Sequence, residues 1–151
     1  MNITFKKIET NDYQEISNMI LSLYADDTDG EEMNLQKITK TFDFFAQNPK
    51  NGEIFVFRDA EIIVGYAILV FFWSNEFGGT KIYLDELFVA EGYRSHGVGR
   101  AFIEFLFADY FREMVGCELE VLPYNKRAVR FYESLGFIKS ERSYFWKPAK
   151  S

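Results

Sequence analysis

The stretch Ile62–Trp73 is apolar almost without a break, and any fold of this chain must find cover for it. A helix that spans a bilayer needs about 20 such residues, and this run is shorter and is interrupted by Gly65. It reads instead as a strand buried on both faces at the centre of a sheet. Glu53–Phe57 precedes it across Arg58-Asp59-Ala60-Glu61, the pattern of a hairpin, and Lys81–Val89 follows as a third strand. With 151 residues, 48% of them hydrophobic and 19% aromatic, the chain is long enough to enclose such a sheet in one domain, 1–151.

The covering elements are legible from helical spacing. Ile16, Met19, Ile20 and Leu23 set a helix over Asp12–Tyr24, with Asn11 or Asp12 as its cap. Leu35, Ile38, Phe42 and Phe45 set another over Leu35–Gln47, closed by the turn chemistry of Asn48-Pro49-Lys50-Asn51-Gly52. Gly97–Arg112 predicts a third helix with apolar residues on more than one side, Phe107, Tyr110 and Phe111 included, and hence well buried. Cys117–Leu122 predicts a strand, Asn125–Leu135 a short helix closed by Gly136 at C′, and Phe137–Trp146 a last strand or strand pair. Ile3–Glu9, at the other end, alternates as a strand and lacks the basic and apolar regions of a secretory leader, so a cytoplasmic protein without a membrane span is expected.

Charge and cysteine content narrow the function. Residues 1–32 carry two lysines against eight carboxylates and so hold the whole net charge of −6; the rest of the chain is balanced. Nucleic-acid phosphates require a basic surface, which disfavours that class of partner, whereas a cationic partner suits the acidic segment Asp26, Asp27, Asp29, Glu31 and Glu32. The alternative for that segment is a solvated loop. A single cysteine, Cys117, forms no internal disulfide, and a single histidine, His96, offers neither a metal cluster nor a Ser-His or Cys-His triad. His96 reads as a solvent-facing loop residue and Cys117 as a small buried filler.

The chemistry-bearing segment is Leu87-Phe88-Val89 followed by Arg94-Ser95-His96-Gly97-Val98-Gly99-Arg100, a strand that turns into a helix. Glycines there admit a close ligand, and the first-turn amides with the helix dipole favour a phosphate. Arg94 and Arg100 add positive charge. A dinucleotide fingerprint would need glycine where Phe102 stands, and a phosphate-binding P-loop would need Gly-Lys-Ser/Thr, which is absent. On pattern alone the glycines are equally those of a tightly packed helix start.

Arg94, Gly97 and Gly99 resemble the Arg/Gln-x-x-Gly-x-Gly/Ala signature of the GNAT acetyltransferase superfamily, and Asn125–Phe137 resembles its last-helix motif Asn-x-x-Ala-x-x-Phe-Tyr-x-x-x-Gly-Phe. Tyr83–Val89 is similar to the strand of the spermidine/spermine and related diamine N-acetyltransferases, which carry an acidic pair there. The likeness is close over 80–137 and extends to element order over 1–79; Ser95 departs from it, since many members have glycine there.

The resemblance implies an α/β GNAT fold, a mixed and mostly antiparallel sheet of six or seven strands flanked by about four helices, with acetyl-coenzyme A lodged where the fourth and fifth strands splay. It implies direct acetyl transfer to a small amine acceptor, with no metal, in a homodimer. Cofactor contacts fall to the backbone of Leu87, Phe88 and Val89, to Arg94 through Arg100 (Ser95, His96, Gly97, Val98 and Gly99 between them), and to Asn125.

An alkylamine of pKa about 10.4 is protonated at neutral pH, and removing its proton costs roughly 4 to 5 kcal/mol without a base. Asp85 and Glu86 are the candidates, and strand alternation puts them on opposite faces, so one of them faces the acceptor; the match to the diamine enzymes favours Asp85, acting through water. Tyr132 is the candidate acid for the thiolate, a transfer uphill by about 2 kcal/mol from unperturbed values; its spacing from Ala128, Val129 and Leu135 also fits a core aromatic. Lys126, Arg127 and Arg130 read as a solvated face more readily than as phosphate ligands. A protein or peptide acetyltransferase, and a coenzyme A-binding regulator without turnover, are the rival readings.

Overall fold

The structure is a computed structural model that describes residues 1–27, 30–110 and 112–150. The chain divides into two compact units, Met1–Glu120 and Val121–Ser151. The first is built on a five-stranded sheet in the order β1-β2-β3-β4-β5, with β1 Ile3–Lys7, β2 Gly52–Asp59, β3 Ile62–Ser74, β4 Gly79–Val89 and β5 Met114–Glu118. The first four strands run antiparallel to their neighbours and β5 runs parallel to β4. β3 is the central strand its sequence demands, and Val64, Tyr66, Ala67 and Leu69 are fully buried.

Helices cover both faces. On one, α1 (Tyr13–Ala25) and α2 (Leu35–Gln47) bury Ile16, Ile20, Ile38 and Phe42 against Ile54, Val56, Tyr66, Ile68 and Phe88. Asn34 caps α2 by accepting the Lys37 N–H at 2.9 Å. At the start of α1, Asp12 caps the preceding 3-10 turn instead, accepting the Glu9 N–H at 2.9 Å and pairing with the Arg58 guanidinium. On the other face, α3 (Val98–Phe105) packs Phe102 and Phe105 among Phe5, Phe55 and Phe57, mostly edge-on.

Four expectations need correction. The sheet has five strands among the described residues, not six or seven, because residues 137–150 form no helix or strand. Alternation alone makes no strand; ladder bonds to a neighbour do, and Ile138 and Phe145 are more than nine-tenths exposed. β5 begins three residues before the expected Cys117, since its pairing with β4 starts at Thr80↔Met114. The third helix keeps α geometry only to Phe105 and continues as a π turn over Leu106–Tyr110. That turn directs Tyr110 onto Phe55 and into a hydrogen bond with Glu53, and it leaves Phe107 half exposed, so this end is not wholly buried. Phe111, assigned to that helix from sequence, and Asp29, assigned to the acidic segment, lie outside the described residues.

In the second unit, α4 (Lys126–Ser134) is capped at both ends, and the closure at Gly136 is the one its sequence predicts. Asn125 accepts the Ala128 N–H at 3.2 Å. Gly136, at φ +92°, closes a Schellman motif: Phe137 N–H donates to Tyr132 O, Gly136 N–H to Glu133 O, and the Tyr132 and Phe137 rings meet at 5.5 Å.

Candidate active site

The second half of β4 differs from the first in what lies beside it. Among the described residues the ladder to β5 ends at Tyr83↔Glu118, whereas β4 continues to Val89 and stays paired with β3 throughout. β5 ends there, and Leu84–Val89 runs on beyond its ladder to β5. Close approach holds the other edge tight. A side chain at Gly65 would meet the Phe88 carbonyl oxygen at 2.3 Å, so β3 and β4 come together there only because residue 65 lacks a Cβ.

A β-bulge marks the start of this half of β4. Leu84 pairs with Leu69 and Glu86 with Ile68, which leaves Asp85 as the extra residue. Bulges re-aim side chains at functional edges, and the two adjacent carboxylates end in different environments. Asp85 is exposed and Glu86 is buried. The protein crowding the Asp85 carboxyl, and next the charge of Glu120, hold its pKa above the usual carboxylate value.

Glu86 is enclosed by two phenols that sequence reasoning did not connect to it. Tyr24 donates to Oε2 at 2.5 Å, and Tyr66, fully buried, donates to Oε1 at 2.7 Å. Burial drives the Glu86 pKa up, and the two hydrogen bonds pull it partly back. Both tyrosines are pushed far above their usual range, mainly by burial and then by the adjacent carboxylate. One signal was available: Tyr66 is the only residue with a polar tip in Ile62–Phe72, and a buried phenol requires an acceptor.

Beyond Val89, a 3-10 turn at Glu91–Tyr93 leads into the glycine segment. Arg94 donates Nε–H to Val89 O at 2.7 Å with its guanidinium 5.5 Å from the Phe88 ring, so it staples the loop to the strand end. His96 Nδ1 lies 2.7 Å from Arg94 O, and the residue is exposed as expected. Gly97 caps α3 at φ +81°, with open space where a Cβ would stand. The first turn-closing bond is Ala101 N–H to Gly97 O, so the amides of Val98 and Gly99 precede it and point out of the helix end. First-turn amides of this kind, on a helix of eight residues, are the arrangement expected for an anion. Ser95 stands at φ +64°, in the region glycine favours, which gives a physical reason for the family's preference at this position.

The structure thus brings together, within the first unit, Asp85, Glu86, the backbone of Leu87, Phe88 and Val89, and the segment Arg94–Arg100. Asn125 and Tyr132 belong to the second unit, where Asn125 serves as the cap of α4 and Tyr132 is half-buried between Phe131 and Phe137. Cys117 is half-buried with its thiol pushed up to about 12 by burial and then by Glu118, which makes it a poor nucleophile. No described helix is long and apolar enough to cross a membrane.

Comparison with known proteins bears on the family and the fold. Among curated proteins, the chain is 27% identical over 155 residues to a mouse (Mus musculus) thialysine N-epsilon-acetyltransferase, covering 93% of this chain and 87% of that one. It is 40% identical over 70 residues to N-alpha-acetyltransferase 40 of Saccharomyces cerevisiae, covering 41% of this chain and 25% of that protein. Among solved structures, a possible acetyltransferase from Clostridium difficile 630 superposes with a TM-score of 0.84 at 20% identity over the full length of both chains. The aminoglycoside enzyme AAC(6')-Iy, solved with a bisubstrate analogue of coenzyme A, superposes with a TM-score of 0.79 at 14% identity over 98% of this chain and 99% of that one. The model of the acetyltransferase (GNAT) family matches residues 17–137, and the chain belongs to that family as an acetyl-coenzyme A-dependent N-acetyltransferase.

Proposed function

We propose that the protein acetylates a small cationic primary amine, of diamine or polyamine type, by direct attack within a ternary complex. The observation that carries this reading is the half of β4 beyond its ladder to β5, which leads from a bulged, exposed Asp85 to the first-turn amides at Gly97–Gly99. The pyrophosphate of acetyl-coenzyme A fits the amides of Val98 and Gly99, and the pantetheine arm fits the edge of Leu87–Val89 that β5 leaves. Those amides lie on the same strand-to-helix path as Asp85, which lets one bound thioester reach both.

In this reading Asp85, acting through water, takes the ammonium proton. Its raised pKa brings it nearer the working pH, as a base requires. The neutral nitrogen then attacks the thioester carbonyl, the C–S bond breaks as Tyr132 gives its proton to the departing thiolate, and the acylated nitrogen releases its second proton to solvent, from which Tyr132 is reprotonated. Asn125 caps the helix that carries Tyr132. Asp26, Asp27, Glu31 and Glu32, exposed around the loop after α1, favour a cationic acceptor. The names of the mammalian relatives, which are thialysine N-epsilon-acetyltransferases, support the same acceptor class.

The partial match to the yeast N-alpha-acetyltransferase supports a second reading, with a protein amine as acceptor. Thiol release from acetyl-coenzyme A, measured with diamines, polyamines, monoamines and peptides bearing free amines, separates them. Amine-stimulated release with the diamines is expected; release with peptides alone would favour the second reading, and tight binding without release would favour a regulator. Tyr132→Phe is expected to lower kcat at least tenfold with acetyl-coenzyme A affinity unchanged, and full activity would remove the general-acid role.

A further inference from the structure

Two carboxylates side by side on one strand pose a question of register. A bulge can shift along its strand, and a slip of one residue exchanges the faces of all that follow. Such a slip at Leu84–Glu86 would turn Asp85 into the core and expose Glu86.

Opposing that slip are Tyr24, in the last turn of α1, and Tyr66, in the middle of β3, each of which donates to a different oxygen of Glu86. Tyr66 reaches Glu86 diagonally, since its own strand partner is Phe88, and its ring stacks on Phe88 at 5.8 Å. Withdrawing Glu86 would strand a wholly buried hydroxyl without an acceptor. Because each Glu86 oxygen already accepts from a phenol, Glu86 is less free than the exposed Asp85 to take a proton from an acceptor.

We propose that Tyr24, Glu86 and Tyr66 form a positioning network that fixes the β4 bulge and thereby holds Asp85, rather than its neighbour, toward the acceptor amine. The three are positioning residues that act through Asp85. This inference rests on the reading of Asp85 as the base, and it predicts a dependence on acceptor basicity that a purely structural role would not produce. An acceptor already neutral in solution needs no base, so misaiming Asp85 should leave its acetylation intact.

The test compares wild type, Tyr24→Phe and Glu86→Gln at pH 7.5, with a diamine and with trifluoroethylamine, which is largely unprotonated there. Expected is a loss of about tenfold or more in kcat/KM for the diamine. For trifluoroethylamine the loss should stay within about threefold, and calorimetric acetyl-coenzyme A affinity within about twofold. In an Asp85→Asn background Tyr24→Phe should add no further loss, because the residue it positions is gone. Equal losses with both amines, or additive losses in the double variant, would overturn the proposal. Independently of turnover, amide hydrogen exchange at residues 84–87 should rise in both variants, and unchanged exchange would also overturn it. Should Asp85→Asn keep full diamine activity, the assignment of the base fails instead, while the exchange result still judges the network. Glu86→Gln preserves side-chain shape, and Tyr24 is only half-buried, so at least one variant is expected to fold.

Discussion

Tyr66→Phe isolates the energetics of the buried carboxylate. The substitution removes one oxygen from a fully buried side chain and leaves the ring and its stacking on Phe88 in place, so no cavity confuses the result. What is lost is the 2.7 Å hydrogen bond to Glu86 Oε1. To an ionised acceptor such a bond contributes about 1.5 to 3 kcal/mol, and to a neutral one about 0.5 to 1.5 kcal/mol. The expected destabilisation is therefore about 2 kcal/mol where Glu86 is ionised, falling to about 1 kcal/mol where it is protonated.

The sign follows from linkage. Burial places the folded-state pKa of Glu86 above its unfolded value. A carboxyl raised in this way contributes stability that is fully present below the unfolded pKa and is lost as pH rises through the folded one. Removing a phenol that stabilises the ionised form raises the folded pKa further, so the variant suffers more at high pH than at low. Urea unfolding followed by far-ultraviolet circular dichroism, at pH 7.5 and pH 4, measures both differences at constant slope. A destabilisation that is equal at the two pH values would refute the reasoning, because it would mean that the phenol does not discriminate between the two states of Glu86.

Three further outcomes follow from the same geometry. Gly97→Ala places a Cβ at φ +81° with nothing within 4 Å, so its cost is backbone strain of about 1 to 2 kcal/mol by thermal unfolding, with a larger proportional loss of acetyl-coenzyme A affinity in calorimetry. Gly65→Ala forces a Cβ to 2.3 Å from the Phe88 carbonyl and 2.8 Å from the Phe57 ring, and parting β3 from β4 should cost about 3 kcal/mol or more in urea unfolding. Neutralising Asp26, Asp27, Glu31 and Glu32 to Asn and Gln should raise KM for a diamine several-fold at low ionic strength and little at 0.5 M salt, where the Debye length is only about 4 Å; an unchanged KM at low salt would discard the acceptor role of that segment.

Local rules made most of the scaffold legible. The apolar run of β3 had to be central, as its buried middle Val64–Leu69 is, and Gly136 ends α4 with the positive φ that its place requires. What escaped depended on partners distant in sequence. The start of β5 is fixed by register against Thr80, and the π turn at Leu106–Tyr110 by the reach of Tyr110 to Glu53, 57 residues away. Phe137–Trp146 has the alternation of a strand, but nothing within the segment supplies the neighbour that a strand needs.

The acidic pair on β4 shows the same division within the site itself. Alternation placed Asp85 and Glu86 on opposite faces, and the hydrophobic pattern around them could not say which face is open, since Leu84, Leu87 and Phe88 are apolar on both. The choice is made by hydroxyls 62 and 20 residues away, on α1 and β3, which receive one carboxylate into the core and leave its neighbour outside. A buried carboxylate accepting from two phenols is far costlier to expose than an aspartate at a bulge. The aim of Asp85 is therefore set by side chains that the proposed proton transfer does not itself use.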